Sequence, residues 1–342
     1  MIGGLGSLSA GRWALIGVAV ALAAVFPLAY TDPYYMTIIV TAEIVLVLNI
    51  SWNFILGMAG VWNFGQLAIY ALGAYGCGWV MLHETGLPVA VAILAGGLLS
   101  AGVSLLLAFP TLRLFGIYTS LLTFSFAQVV DYTAVNDPHG LTGGSFGYPA
   151  VPGLFPNYGQ EAYLRAYYWV CLGVIVASCF AVAWLRQSQL GYALRSARDA
   201  PAYTAARGID LRAARVAAFG LSGFLAGIAG ALYLCFQQSF TTSQMGLTPM
   251  SIDVTMLVIG GLGTVTGPII GTVLVTAIQT KLINYPGWQL TVLGAVLLVI
   301  VVFVPGGFVG VFSRISRRVG AWVGEEDDVP PGDPEPDQRL VA

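Results

Sequence analysis

The stretch Ser251–Ile283, SIDVTMLVIGGLGTVTGPIIGTVLVTAIQTKLI, decides how this chain is built. It is apolar, yet as one straight α-helix its roughly 33 residues would run about 50 Å, well beyond a hydrocarbon core of about 30 Å. Near its middle lies the run Gly260-Gly261-Leu262-Gly263-Thr264-Val265-Thr266-Gly267-Pro268. The stretch therefore reads as two short helices joined by a bend, entering a membrane and returning to the same side. Unpaired backbone at such a bend has to be covered by protein or line a cavity.

The rest of the chain has the same character. Of 342 residues, 57% are hydrophobic and 9% are charged, with a mean hydropathy of +0.82. Soluble domains carry roughly 25% charged residues, so this chain has too few to cover a water-facing surface. Windows of about 20 mostly apolar residues mark further spans at 13–30, 34–56, 62–82, 87–109, 114–135, 164–185, 214–236 and 286–309. With the bent pair, the expectation is an all-α polytopic membrane protein of about ten transmembrane helices. Trp13–Tyr30 is long for a signal-peptide core and has no clear A-x-A ending, so it reads as a retained span.

Arginine and lysine in short loops set the direction of insertion. Arg12 precedes the first span, and Arg113 sits in the tight turn after the fourth, 87–109. Arg186, Arg195, Arg198, Arg207, Arg212 and Arg215 crowd the loop after residue 185, and Arg314, Arg317 and Arg318 follow the last span. Placing these inside puts residues 1–12, the loop 186–213 and the tail 313–342 in the cytoplasm. The loop of about 136–163 then faces out. The return path of 251–283 is what lets the last span end inside. The tail holds seven of the sixteen acids, between Glu325 and Asp337, and is proline-rich. It cannot bury apolar surface and is expected to be disordered.

Within lipid, helices attract through close packing, and small residues permit it. Gly223 and Gly227, with Gly220 and Gly230 near the same face, form one such stripe; Gly263, Gly267 and Gly271 form another, and Gly73, Gly76 and Gly78 a looser cluster. Glu43, Asn49, Asn53, Asn63, Gln66, Gln128 and Asp131 fall inside the apolar windows. Buried polar groups there are costly and mark either interhelical hydrogen bonds or a solute path. Asn49, Asn53, Asn63, Gln66, Gln128, Gly261 and Gly263 are the candidates for lining that path. Tyr34, Tyr35, Tyr167, Tyr168 and Trp169 read as interfacial anchors.

Several chemistries are excluded. A phosphate-binding P-loop needs Gly-Lys-Ser/Thr, and the one lysine, Lys281, follows Thr280. His83 and His139 are the only histidines, and His83-Glu84 does not continue to HExxH. Cys77, Cys171, Cys179 and Cys235 form no CxxC pair and read as small packing residues. The chain reads as neither an enzyme nor a cofactor or nucleic-acid binder.

Taken in order, several segments resemble the LivM-type permeases of branched-chain amino acid ABC importers. These are Leu48-Asn49-Ile50-Ser51-Trp52-Asn53-Phe54-Ile55-Leu56-Gly57-Met58-Ala59-Gly60, Phe64-Gly65-Gln66-Leu67-Ala68, Leu112-Arg113-Leu114-Phe115-Gly116-Ile117-Tyr118, Leu141-Thr142-Gly143-Gly144, Ser222–Tyr233 and Gly260–Gly271. The resemblance covers roughly 40–310 and implies a type II-like importer architecture in a bacterial inner membrane. It also implies a second homologous permease subunit, two cytoplasmic ATP-binding subunits and an external solute-binding protein as partners. Arg195-Ser196-Ala197-Arg198-Asp199 and Ala205-Ala206-Arg207-Gly208-Ile209, within the loop 191–210, are similar to the coupling segment that such permeases seat on their ATPases. Arg195, Arg198, Asp199, Ala205, Ala206 and Gly208 are thereby the coupling candidates, and Leu141, Thr142, Gly143 and Gly144 mark the outer loop where a binding protein would dock. The chain departs from the family pattern at Ala200-Pro201 and at Val304-Pro305-Gly306-Gly307-Phe308. A different reading is a secondary transporter that uses Glu43 and Asp131 as ion-coupling carboxylates. The solute, whether a branched-chain amino acid, urea, an amide or another amino acid, stays open.

Overall fold

Asp32 starts the first helix of the computed structural model: its carboxylate accepts from the Tyr34 nitrogen at 3.0 Å, and Pro33 occupies the first turn. Both features satisfy or remove N–H groups that a helix start leaves orphaned. The structure describes Pro27 and residues 32–83, 87–114, 116–137, 140–148, 151–155, 158–200, 204, 210–283, 285–303 and 307–308. Among them are ten α-helices and two single 3-10 turns, and no strand longer than one bridge, Tyr148 with Phe240. The helices are α1 Pro33–Ala59, α2 Gln66–His83, α3 Val89–Thr111, α4 Ile117–Asn136, α5 Gln160–Gln187, α6 Gln189–Asp199, α7 Leu211–Gln237, α8 Leu247–Gly260, α9 Gly267–Leu282 and α10 Pro286–Phe303. The expected segments 1–12, 13–30 (apart from Pro27) and 313–342 lie outside the described residues.

Among the described residues, four helices, α1, α3, α5 and α7, are long and apolar enough to cross a membrane, and α8 and α9 are shorter apolar helices. The 251–283 stretch is indeed broken in two. At 14 and 16 residues, α8 and α9 span only about 21–24 Å each. The helix α6 is a short surface helix carrying Arg195 and Arg198, in the segment where the resemblance implies helices that couple to an ATPase.

The centre of the fold is α7, packed against α1, α2 and α3. Glycine makes that approach possible. A methyl group at Gly73 would collide with the Gly227 backbone, one at Gly230 with the Tyr70 carbonyl, and one at Gly96 with the Gly73 carbonyl. The stripe Gly223, Gly227 and Gly230 thus faces α2 and α3. Ser100 and Ser104 of α3 fill the remaining space and donate to the Ile69 and Phe219 carbonyls at 2.9 and 2.7 Å. A second, smaller core joins α8, α9 and α10 through Met256, Ile259, Val275, Leu293 and Ile300. There Gly260 abuts Gly267, and Gly271 abuts the Met256 carbonyl.

Candidate coupling and pathway site

The C-terminal half of α1 is the hub at which the polar groups meet. Asn53 donates through Nδ2 to the Thr264 carbonyl at 2.6 Å and accepts at Oδ1 from the Gly263 nitrogen at 2.8 Å. One side chain therefore satisfies a donor and an acceptor that the bend 261–266 leaves unpaired. The bend closes itself elsewhere: the Thr264 hydroxyl donates to the Gly261 carbonyl and accepts from the Gly267 nitrogen, both at 3.0 Å. Gly261 and Gly263 have φ of 112° and 77°, a region that glycine enters without a Cβ penalty. One turn earlier, Asn49 donates to the Thr272 hydroxyl at 3.1 Å and toward the Met256 sulfur at 3.2 Å. Its Oδ1 has no hydrogen-bond partner among the described residues.

On another face of α1 the chain is unwound. Gly60, at φ 67°, ends α1, and residues 60–65 return along it without helical structure until α2 starts at Gln66. The span expected at 62–82 is therefore late by four residues, and Asn63 lies in the break. Gln66 meets Ser51, eight residues or about 12 Å short of the end of α1, so the break runs back into the protein. Part of its backbone is paired within the protein. The Phe64 nitrogen donates to the Thr123 hydroxyl of α4 at 3.1 Å, and the Gly65 nitrogen to Asn63 Oδ1 at 3.0 Å. Asn63 in turn donates to Gln66 Oε1 at 2.9 Å, while Gln66 Nε2 donates to the hydroxyls of Ser51 and Ser222, each at 2.9 Å. Four elements are joined by one fully buried amide.

Of the expected path residues, Asn49, Asn53, Asn63 and Gln66 are thus engaged within the subunit, Gly261 is buried and Gly263 half-buried. Gln128 differs. On α4 the residues Thr119, Thr123 and Ala127 are buried, and Ser125, Gln128 and Tyr132 lie exposed on another face. Leu121 and Val129 share that exposed side of α4. Asp131, half-buried, lies beside that stripe and acts on Tyr75. Glu43 is elsewhere, between α1 and α5, against Tyr168 and Cys171.

The surface helix α6 is fastened to the hub. Ser188 caps it by accepting from the Gly191 nitrogen at 3.3 Å. Arg195 donates to the Arg186 carbonyl at 2.8 Å and the Gly191 carbonyl at 3.2 Å, and its guanidinium stacks 4.8 Å over Tyr192. Arg198 donates through Nη1 to the Gly57 carbonyl of α1 and through Nε to Asp199 at 2.8 Å. That guanidinium holds the Asp199 carboxyl below the usual carboxylate range. Gly57 presses on Gly263: a methyl there would lie 2.7 Å from the Gly263 nitrogen and closer to its Cα. Arg198, Gly57 and Gly263 form a continuous contact from a surface helix to the intramembrane bend. Sequence offered no signal for it, because the partner is a carbonyl 141 residues away. Ala205, Ala206 and Gly208 lie outside the described residues.

At the opposite end of α4, the Asp137 carboxylate accepts from the nitrogens of Thr142 and Gly143 at 2.6 and 3.1 Å, and the Thr142 hydroxyl donates to the Ala134 carbonyl at 2.9 Å. Leu141, Thr142, Gly143 and Gly144 are thereby folded onto α4 as a turn. Leu141 and Phe146 are left outward, the latter 90% exposed. Tyr148 donates back to the Leu141 carbonyl. Burial and the Asp137 charge push its phenol up to about 12. Asp253 of α8 was passed over in the sequence, being one acid in an apolar window; it is buried and acts on Tyr70.

The family model described as branched-chain amino acid transport system / permease component matches residues 34–304. The high-affinity branched-chain amino acid transport system permease protein LivM of Escherichia coli K12 is 25% identical over 307 residues, covering 83% of this chain and 72% of the relative. The protein of the same description from Salmonella typhimurium aligns with the same identity and coverage. The probable branched-chain amino acid transport permease protein LivH of Methanocaldococcus jannaschii is 33% identical over 121 residues, 33% of this chain and 38% of the relative. No solved structure matches the chain.

Proposed function

Because this chain belongs to the family of permease components of branched-chain amino acid transport systems, we propose that it forms half of the translocation path of an ATP-driven importer and receives the ATPase stroke through α6. The observation that carries this reading is the Arg198 bond to the Gly57 carbonyl, directly behind the Gly263 bend. A displaced α6 pulls on the end of α1, and α1 holds the bend through Asn53. The path wall contributed by this half is the exposed stripe of α4, with Gln128, and the break 60–65, with half-exposed Trp62.

The full assembly contains a second permease, two ATP-binding subunits on the α6 side and a solute-binding protein on the side of the 141–144 turn. The ATP site lies on those partners. The α6 side is cytoplasmic, in a bacterial inner membrane, and the solute is a branched-chain amino acid or a small polar molecule of similar size. The rival reading needs Glu43 and Asp131 to act on one ion. They sit on α1 and α4, in contact with different neighbours.

Arg198→Ala tests the linkage in the assembled complex. Uptake is expected to fall at least about tenfold, the effect of some 1.4 kcal/mol, while the complex stays intact and binds ATP normally. Unchanged uptake removes the role given to α6. Uptake that persists after ATP is depleted, and stops when ion gradients collapse, removes the importer reading itself.

A further inference from the structure

Three sulfur atoms meet where the C-terminal ends of α2 and α7 come together. Cys77 Sγ lies 3.8 Å from Cys235 Sγ, Met81 Sδ lies 3.7 Å from Cys77 Sγ, and Cys235 Sγ lies 3.9 Å from Met81 Sδ. The triangle is almost equilateral. A point equidistant from its corners is about 2.2 Å from each, close to the roughly 2.3 Å of a metal–thiolate bond. We propose that Cys77, Cys235 and Met81 form a trigonal, all-sulfur site for a soft monovalent cation of the Cu(I) class.

Two thiols and a thioether are the donor set that selects Cu(I) over the harder divalent ions. Packing fixes the set in place. Cys77 and Met81 are one turn apart on α2 and share a face. Cys235 is presented by α7, whose distance from α2 is set by the glycine contacts at Gly73 with Gly227 and Gly230 with Tyr70. The Cys235 carbonyl accepts from the Tyr163 and Tyr167 hydroxyls of α5 at 3.3 and 2.8 Å, which holds its backbone. Both cysteines are fully buried, and Met81 is half-buried, giving the corner by which an ion enters. A metal ion fits the existing spacing.

Binding exchanges charge as follows. Cu(I) takes three sulfur lone pairs, and both thiols release their protons to water past Met81, because the thiolate is the ligating form. One positive charge then stands against two thiolates, a net charge of −1. No electron is transferred.

The test is anaerobic titration of the membrane complex with Cu(I) held by a chromophoric chelator, followed by X-ray absorption on the retained metal. The wild type is expected to keep one Cu(I) per chain, coordinated by sulfur alone, with about two protons released. Cys77→Ser combined with Cys235→Ser is expected to abolish retention, and Met81→Leu to weaken it about tenfold. Cys171→Ser and Cys179→Ser retain the metal. Cu(I) should also raise the melting temperature of the wild type and leave that of the double variant unchanged, a comparison made within each protein and independent of the stability of the variant. Retention by the wild type no greater than by the double variant overturns the site. So does loss that follows Cys171 or Cys179, or nitrogen and oxygen ligands in the absorption spectrum.

Discussion

Asn53→Ala removes a side chain that bridges α1 and the bend. The Gly263 nitrogen and the Thr264 carbonyl lose partners at 2.8 and 2.6 Å. Polar pairs between transmembrane helices average only about 0.6 kcal/mol, because each partner finds a substitute in the membrane-inserted unfolded state. That figure is too small here. The bend groups are backbone without helical partners, and leaving each unsatisfied costs about 1–3 kcal/mol. Asn53→Ala should therefore cost about 2–6 kcal/mol, toward the lower end where water reaches the half-buried Gly263. Asn53→Asp separates the two bonds: a carboxylate still accepts from Gly263 but faces the Thr264 carbonyl with no donor, so it should be at least as damaging as Ala. The assay is thermal unfolding of the purified complex, read by a maleimide dye that reacts with Cys77, Cys171 and Cys235 as they leave the core, where all three are buried. Uptake by the same variants is measured in parallel. If Asn53→Ala melts within about 1 °C of the wild type, well short of the shift that 2 kcal/mol produces, the bend is held by something other than Asn53 and the transmission argued from it fails.

Gln66→Leu should cost less, about 1 kcal/mol in the same assay. The Ser51 and Ser222 hydroxyls keep their bonds to the Leu48 and Ser51 carbonyls, so Asn63 is the main group left unmatched. Gly230→Ala should overpack α2 against α7 and cost about 1–3 kcal/mol or more. Gly102→Ala on α3, with nothing within 4 Å of the added methyl, should stabilise by up to about 1 kcal/mol through helix propensity; equal effects of the two would refute the packing argument. For Tyr148 the neutral phenol is the favoured form, with its titration raised from 10.0 to about 12. Its stabilisation should be complete below pH 10 and disappear as pH climbs from 10 toward 12. Melting curves of Tyr148→Phe and wild type should converge over that interval, and parallel curves would contradict the assignment.

The residues themselves specified a good deal. Apolar length fixed where helices could cross, because about 20 residues at 1.5 Å each are needed to traverse a hydrocarbon core. A run of glycines in 33 apolar residues fixed the break between α8 and α9, since no straight helix of that length fits. Spaced glycines marked the close-packed face of α7, and ordered motifs marked the family. Each of these signals is local: a length, a spacing or a composition. What each polar side chain does was not local. Asn49, Asn53, Asn63 and Gln66 looked alike as candidates for a solute path. Only the folded chain separated them from Gln128, because most partners of Asn49, Asn53 and Gln66 lie far off in the sequence, up to 223 residues away. The same holds for Arg198 and for the three sulfurs, spread over 158 residues. A hydrogen bond or a metal–sulfur distance is a condition on positions in space, and a membrane bundle sets those positions through packing that no linear pattern records.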